Sequence, residues 1–298
     1  MRPRIAVRQV SRLQAQESLP ARKFLAHSGR MLQHLLRQLL PGTCLMCDGA
    51  IPAESALDLC RFCLDALPWN DTACQRCAEP LPEAAADAVP HTLMCERCRS
   101  EPPPFIRTLA PLKYQDAPRA WVGRLKDQLG MVEGHILGTL LADAAARCYR
   151  QARDGTLRVP DLLVPVPLTA RRLAWRGHNQ ALTLARPVAR KLGIPLSKRA
   201  VLRVRPGARQ RGLGRSERLH NLDGIFVARH RWHEPICIGI VDDVMTTGST
   251  AAELCRVLLA AGAGEVHVLC ATRTPRRRPS MASILHTGVS NPVRVVGG

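Results

Sequence analysis

Two adjacent acids followed by hydroxyl-bearing residues form the segment of this chain with the clearest chemistry. Asp242 and Asp243 come directly after the apolar run 236–241. The turn that follows contains Thr246, Thr247, Gly248, Ser249 and Thr250. A continuous apolar run that is bounded by turn residues is typical of a buried parallel strand. Because open α/β sheets bind ligands at the carboxyl ends of their strands, the sequence predicts a ligand site at these acids.

The turn at 246–250 has the composition of a phosphate site. Its hydroxyls and unhindered N–H groups donate hydrogen bonds, and a helix predicted over 251–261 directs its positive end toward them. The acids are suited to accept hydrogen bonds from ribose hydroxyls and to recruit Mg²⁺, so a sugar phosphate is the predicted ligand. The turn lacks the Lys of a Walker loop and the three spaced glycines of a dinucleotide fingerprint. The simpler alternative is an ordinary buried strand with a capped turn.

Eight of the 12 cysteines form four Cys-x-x-Cys pairs, a spacing typical of metal ligands in a reducing compartment. The first two pairs are separated by 12 residues and the last two by 17. Each half fits a structural Zn²⁺ site worth about 10 kcal/mol of folding free energy, although interleaved ligation of alternate pairs stays open. The predicted zinc ligands are Cys44, Cys47, Cys60, Cys63, Cys74, Cys77, Cys95 and Cys98.

The net charge of +19 over 298 residues predicts an anionic partner, which either a sugar phosphate or nucleic acid satisfies. Aromatic residues make up only 3% of the chain and are scattered singly, which disfavours a base-stacking platform. Charges interrupt every apolar run near the start, and no stretch reaches the roughly 20 apolar residues of a membrane span. We therefore expect a soluble, cytoplasmic protein without a transmembrane segment.

Alternating strands and helices between residues 105 and 274 predict an α/β fold. Strands are expected at 107–114, 161–168, 201–204, 236–241 and 265–271, and helices at 118–129, 132–151 and 180–191. The strand at 161–168 runs into prolines, so the chain must turn there and enter a cationic loop. That loop contains Arg171, Arg172 and Arg176. Lys126, in the first of these helices, is expected to be an ordinary surface cation.

Residues 238–250 resemble the phosphoribosyl pyrophosphate (PRPP) signature of type I phosphoribosyltransferases: an apolar strand, two acids and a Thr/Gly/Ser turn. The resemblance implies that the turn binds the 5′-phosphate and that Asp242 and Asp243 hold the ribose hydroxyls as the catalytic acids. In these enzymes the loop after an earlier strand holds the pyrophosphate together with Mg²⁺. Here that loop offers Arg171, Arg172 and Arg176, and a solvated basic loop is the alternative.

The order of motifs over residues 44–273 resembles the ComF family of competence-associated proteins. It comprises the paired cysteines, the segment 176–180, the segment 210–221 and the acidic turn. Members usually have Phe where this chain has His178, which we interpret as a tolerated surface change or a small loss of packing. The family pattern in the basic segment is present as Gln210, Leu213, Arg218 and Asn221, and it favours a closing lid there.

This resemblance implies a type I phosphoribosyltransferase-like parallel sheet with flanking helices, preceded by a small double zinc ribbon with four cysteines at each site. The expected organisation is a basic leader (1–42), the ribbon (43–101), the phosphoribosyltransferase-like domain (105–274) and a flexible tail (275–298). The family also implies binding of Mg²⁺ and PRPP, transfer to an unidentified acceptor, and a role beside DNA-import proteins that handle single-stranded DNA. The alternative is a non-catalytic module that senses ribose phosphate or contacts nucleic acid or a partner protein.

Overall fold

The computed structural model describes residues 42–52, 54–82, 93–127, 130–151, 157–205 and 224–276. Nearly all of the predicted leader and tail, and the predicted lid residues Gln210, Leu213, Arg218 and Asn221, lie outside these ranges. Within these ranges, no helix combines the length and the apolar character that a bilayer crossing requires.

The described chain begins with short cysteine-rich elements and continues as an α/β unit. The first part contains β1 (Gly42–Thr43), β2 (Ala50–Ile51), α1 (Arg61–Asp65) and α2 (Glu96–Ser100). The second part contains β3 (Arg107–Leu109), β4 (Leu112–Lys113), α3 (Asp116–Lys126), α4 (Met131–Gln151), β5 (Leu162–Pro165), α5 (Ala170–Arg176), α6 (Gln180–Leu192), β6 (Val201–Arg203), β7 (Phe226–Ala228), β8 (Cys237–Met245), α7 (Ser249–Ala260) and β9 (Glu265–Arg273).

One parallel sheet, in the order β3-β9-β8-β5, forms the centre of the second part, and β4 extends the β3 side along β9. The expected strand at 107–114 is split into β3 and β4 at Pro111, because proline has no N–H for the ladder. The two central strands of the sheet are buried on both faces, as parallel strands require. The predicted parallel α/β fold is therefore confirmed.

Helices cover both faces of the sheet. On one face, α7 and the antiparallel strand pair β6–β7 share a core with inward residues such as Ile238 and Ile240. On the other face, α3, α4 and α6 pack over Leu163 and Val241. Gly138 in α4 allows a close approach of α6, since a Cβ there would lie 3.0 Å from Pro187 Cγ. The site is thus carried on a three-layer scaffold.

A buried histidine lies near the amino ends of the central strands. The His267 ring stacks on Tyr149, and its Nδ1 lies 3.0 Å from the Tyr149 hydroxyl. Burial lowers the pKa of His267 to about 4, and the charge of Arg107 acts in the same direction. Glu265 Oε2 lies 3.9 Å from His267 Nε2. The imidazole is therefore held in its neutral form at physiological pH.

Two further differences from the sequence predictions bear on the site. Strand β8 runs to Met245 instead of ending at 241, because β9 stays paired with it there while β5 leaves after Val241. The expected cationic loop is helix α5, which begins after Thr169, whose Oγ1 accepts a hydrogen bond from Arg172 N, and ends at left-handed Gly177. Such N-cap and C-cap residues are readable signals in a sequence.

Candidate functional site

An open hollow lies where β8 passes into α7, with about 350 Å³ of space when the open mouth is included. The predicted acid Asp242 lines it, as do the predicted turn residues Thr246, Thr247, Gly248, Ser249 and Thr250. Val244, Met245, Ala251 and Cys270 complete the lining. One concave site therefore brings together six residues that the sequence singled out.

The turn is built around Gly248, whose φ of 82° lies in the left-handed region that favours glycine. Gly248 is also the N-cap residue of α7, and no side chain makes a capping hydrogen bond there. Thr247 Oγ1 accepts a hydrogen bond from Ser249 N at 3.3 Å and lies 2.8 Å from Ser249 Oγ. Because Gly248 has no side chain to cap the helix, the first-turn N–H groups after Ser249 are donors for an anion.

The two acids have different surroundings, because neighbouring residues of a strand face opposite sides of the sheet. Asp242 faces the hollow, and its Oδ1 accepts a hydrogen bond from Asp243 N at 2.9 Å. Asp243 is buried toward α3, where Lys126 Nζ lies 3.2 Å from its Oδ2. Lys126 was expected to be a surface cation, and its partner was not visible in the sequence.

The electrostatics of the acids favour a ligand that brings positive charge or a proton. Burial raises the pKa of Asp242 well above its usual value, the charge of Asp243 raises it further, and Lys126 opposes the change. A carboxylate in this condition gains from a cation or a hydrogen-bond donor placed beside it. The site is therefore prepared for hydroxyl groups or for a metal ion.

The described lining of the hollow contains no Lys or Arg side chain. The predicted arginines Arg171, Arg172 and Arg176 lie on α5 and are absent from the described lining of the hollow. Arg203 of β6 interacts electrostatically with a residue of each region. Burial lowers its pKa, the charge of Arg172 lowers it further, and Asp242 acts in the opposite direction. Arg203 is thus within electrostatic reach of both the hollow and α5.

Behind the turn lies a buried cation that the sequence reasoning missed. Arg273, at the end of β9, is 1% exposed. Its guanidinium donates to the carbonyl oxygens of Met245 at 3.0 Å, Thr246 at 2.5 Å and Thr274 at 2.6 Å. The available signal was an Arg at the end of a largely apolar strand, since the fold must provide partners for a buried charge.

The paired cysteines come together as two groups, and pairing is within each half of the segment. In each group the four Sγ atoms lie within 4.8 Å of one another. Cys47 and Cys60 have an Sγ–Sγ distance of 3.8 Å, and Cys77 and Cys95 have one of 3.7 Å. A tetrahedral zinc ion with Zn–S bonds of about 2.3 Å requires sulfur separations of about 3.8 Å. The two groups therefore fit two zinc sites with four cysteine ligands each.

The two zinc sites repeat one construction. Cys44 N donates to Gly49 O at 2.8 Å, and Cys74 N donates to Glu79 O at 2.9 Å. The third cysteine of each group, Cys60 or Cys95, is the N-cap of a short helix, α1 or α2. Hereafter the first ribbon denotes the unit around Cys44–Cys63 and the second ribbon the unit around Cys74–Cys98.

The thiols of the second ribbon require a cation to ionise together. A hydrogen bond from Cys77 lowers the pKa of Cys74 to about 4, whereas burial raises the pKa of Cys98 to about 12. Four thiolates this close repel one another, and a divalent ion compensates that repulsion. The donor set, spacing and charge therefore all fit structural zinc.

Comparison with known proteins gives the family. Residues 35–99 match the double zinc ribbon domain. The chain is 34% identical over 239 residues to the DNA utilization protein YhgH of Salmonella typhimurium, covering 79% of this chain and 98% of that protein. It is 32% identical over 176 residues to Competence protein F of Haemophilus influenzae, covering 58% and 76%. The chain belongs to the ComF family. The prediction of this family and of its double zinc ribbon is thus confirmed.

Solved phosphoribosyltransferase structures overlap only loosely with this ComF protein. A glutamine PRPP amidotransferase from B. subtilis covers 48% of this chain and 27% of its own, at 20% identity and TM-score 0.32. A purine phosphoribosyltransferase from Pyrococcus horikoshii covers 45% and 71%, at 19% identity and TM-score 0.26. TM-scores this low carry no argument, so the α/β fold is established by the strand order and pairing of the sheet.

Proposed function

We propose that this ComF protein binds PRPP with Mg²⁺ in the hollow after β8 and acts as a phosphoribosyltransferase on an unidentified acceptor. The observation that carries the proposal is the hollow that Asp242 shares with the turn 246–250 at the start of α7, where the N-cap residue Gly248 has no side chain. In this proposal the turn binds the 5′-phosphate and Asp242 accepts hydrogen bonds from the ribose hydroxyls.

The donor groups of the hollow suit Mg²⁺, which prefers carboxylate and phosphate oxygens and keeps part of its water shell. Asp242 is the described carboxylate that faces the hollow, and its raised pKa falls again when a cation is near. Bound with PRPP, Mg²⁺ would neutralise charge on the pyrophosphate. The cations proposed to bind this pyrophosphate are Arg203 of β6 and the α5 residues Arg171, Arg172 and Arg176.

The predicted catalytic acids take different roles in this proposal. Positive charge develops on the ribose ring during transfer, and the Asp242 carboxylate beside the ring would stabilise it electrostatically. Asp243 points to α3 and is paired with Lys126, so it acts by positioning the strand and by fixing the field at Asp242. Two relatives are named for DNA utilization and for competence, and we propose DNA uptake, beside competence DNA-import proteins, as the setting.

A second candidate function is binding of single-stranded DNA at α5. Trp175 is 74% exposed and lies on the same short helix as the predicted arginines. An exposed ring among guanidinium groups offers stacking and charge together, the combination that binds single strands. This arrangement was not predicted, because the scarce aromatics were expected to be scattered without a platform.

Calorimetric titration separates the two functions. Wild type should bind PRPP with Mg²⁺, Asp242→Asn should weaken binding at least about tenfold, and Asp65→Asn, an exposed acid of α1, should leave it unchanged. Absence of heat from the wild type would remove the PRPP proposal.

For DNA, Trp175→Ala should weaken oligonucleotide binding about tenfold, whereas Asp242→Asn and the exposed control Phe62→Ala should not.

A further inference from the structure

Arg273 joins the turn of the hollow to the second ribbon through one buried side chain. On the turn side it donates to the carbonyl oxygens of Met245 and Thr246. On the ribbon side its Nε donates to Cys77 O at 2.9 Å, and its Nη2 pairs with Glu79 Oε2. These ribbon residues are a proposed zinc ligand and the second residue after it.

The hydrogen bonds to Met245 O and Thr246 O orient the donors of the turn. A peptide group is planar and trans, so a carbonyl held in place directs the next N–H to the opposite side. The Thr246 carbonyl points to the buried guanidinium, and the Thr247 N–H therefore points away from it. Thr247 is exposed and lines the hollow. The guanidinium thus fixes donors that a phosphate would need.

The ribbon end of this connection lies directly beside the proposed zinc ligands Cys74 and Cys77. Glu79 O accepts the hydrogen bond from Cys74 N, and its carboxylate pairs with Arg273. We propose that Arg273 is a positioning residue through which the zinc-loaded second ribbon holds the 246–250 turn in its ligand-binding conformation. This proposal rests on the proposed PRPP site for the identity of the ligand, but not for the coupling itself.

The first ribbon provides a matched control, because it has the same construction and packs elsewhere. Its residues Cys44, Ile51 and Leu59 share a core with Trp121 and Leu125 of α3. Among the described residues, the hydrogen bonds of the Arg273 guanidinium reach only the second ribbon and the chain at the ends of β8 and β9. Cys60 and Cys95 occupy equivalent positions, so Cys60→Ser and Cys95→Ser remove one ligand from each ribbon.

Amide hydrogen exchange of the full chain, measured without PRPP on a peptide covering 244–252, tests the coupling. Arg273→Lys and Cys95→Ser should speed exchange in this peptide on the order of tenfold, because several hydrogen bonds to a charged group are lost. Cys60→Ser should change it less than about twofold. Elemental analysis should find two zinc ions per chain in Arg273→Lys, which separates a loosened turn from a lost metal.

Unchanged exchange in both Arg273→Lys and Cys95→Ser would overturn the proposal, as would an equal response to Cys60→Ser. If Cys95→Ser does not fold, Arg273→Lys and Glu79→Gln decide the question.

A PRPP titration of the same proteins separates the coupling hypothesis from the PRPP hypothesis. If the exchange responds while wild type binds no PRPP, the coupling stands and the proposed ligand is wrong. If wild type binds PRPP and Arg273→Lys changes neither exchange nor affinity, the coupling is wrong.

Discussion

Replacing Lys126 by Met tests whether the ion pair behind the acids stabilises the site. Lys126 Nζ lies 3.2 Å from Asp243 Oδ2, and the two side chains are 32% and 10% exposed. At an effective dielectric constant of about 20, two charges at this distance attract by about 5 kcal/mol. Desolvation of the nearly buried carboxylate and screening of the partly exposed lysine reduce this value. We expect a net loss of about 2 kcal/mol in the free energy of unfolding.

The assay is urea unfolding at pH 7 with excess zinc, as a double-mutant cycle with Asp243→Asn. The double variant should lose about 1–2 kcal/mol less than the sum of the single variants, because each single change leaves the other group without its partner. Lys198→Met, at an exposed lysine, should stay within about 0.5 kcal/mol of wild type. A single-variant loss below about 0.5 kcal/mol with no coupling would refute the reasoning.

Three further changes probe the scaffold. Between pH 6.5 and 5, the His267 imidazole should cost the wild type about 2 kcal/mol of unfolding free energy. With its pKa lowered to about 4, this imidazole binds its proton only in the unfolded chain. In His267→Gln this loss should disappear. Leu184→Ala should cost about 3 kcal/mol, since this side chain is fully buried in the core. Gly262→Ala should cost more than about 1 kcal/mol, because φ is 101° and a Cβ would lie 2.1 Å from Trp232 O.

Urea unfolding measures all three changes, with the His267→Gln comparison made at pH 7 and pH 5. An acid-side slope identical to wild type in His267→Gln would show that the protonation argument is wrong. Ala189→Gly, on the same helix as Leu184, separates helix propensity from cavity formation. A Leu184→Ala loss no larger than that of Ala189→Gly would contradict the packing argument, and a neutral Gly262→Ala would contradict the steric one.

The sequence predicted those parts of the molecule that depend on local patterns. Apolar runs indicated the parallel strands, and the spacing of Cys44 to Cys98 indicated both metal sites, because a Cys-x-x-Cys pair forms its own turn. The end of β8 was missed because it is set by pairing with β9, and the residues of β8 alone give no sign of that pairing. Lys126 and Arg273 were missed for the same reason, since their partners Asp243 and Glu79 are far away in the chain.

The two adjacent acids face opposite sides of the sheet. Asp242 lines the hollow, and Asp243, the next residue, pairs with Lys126 of helix α3. Any molecule that changes the ionisation of the first carboxyl therefore changes the electric field at the amino group of Lys126, with no displacement of the backbone. Binding of a ligand in the hollow can in this way alter the electrostatic environment of α3 on the other side of the sheet.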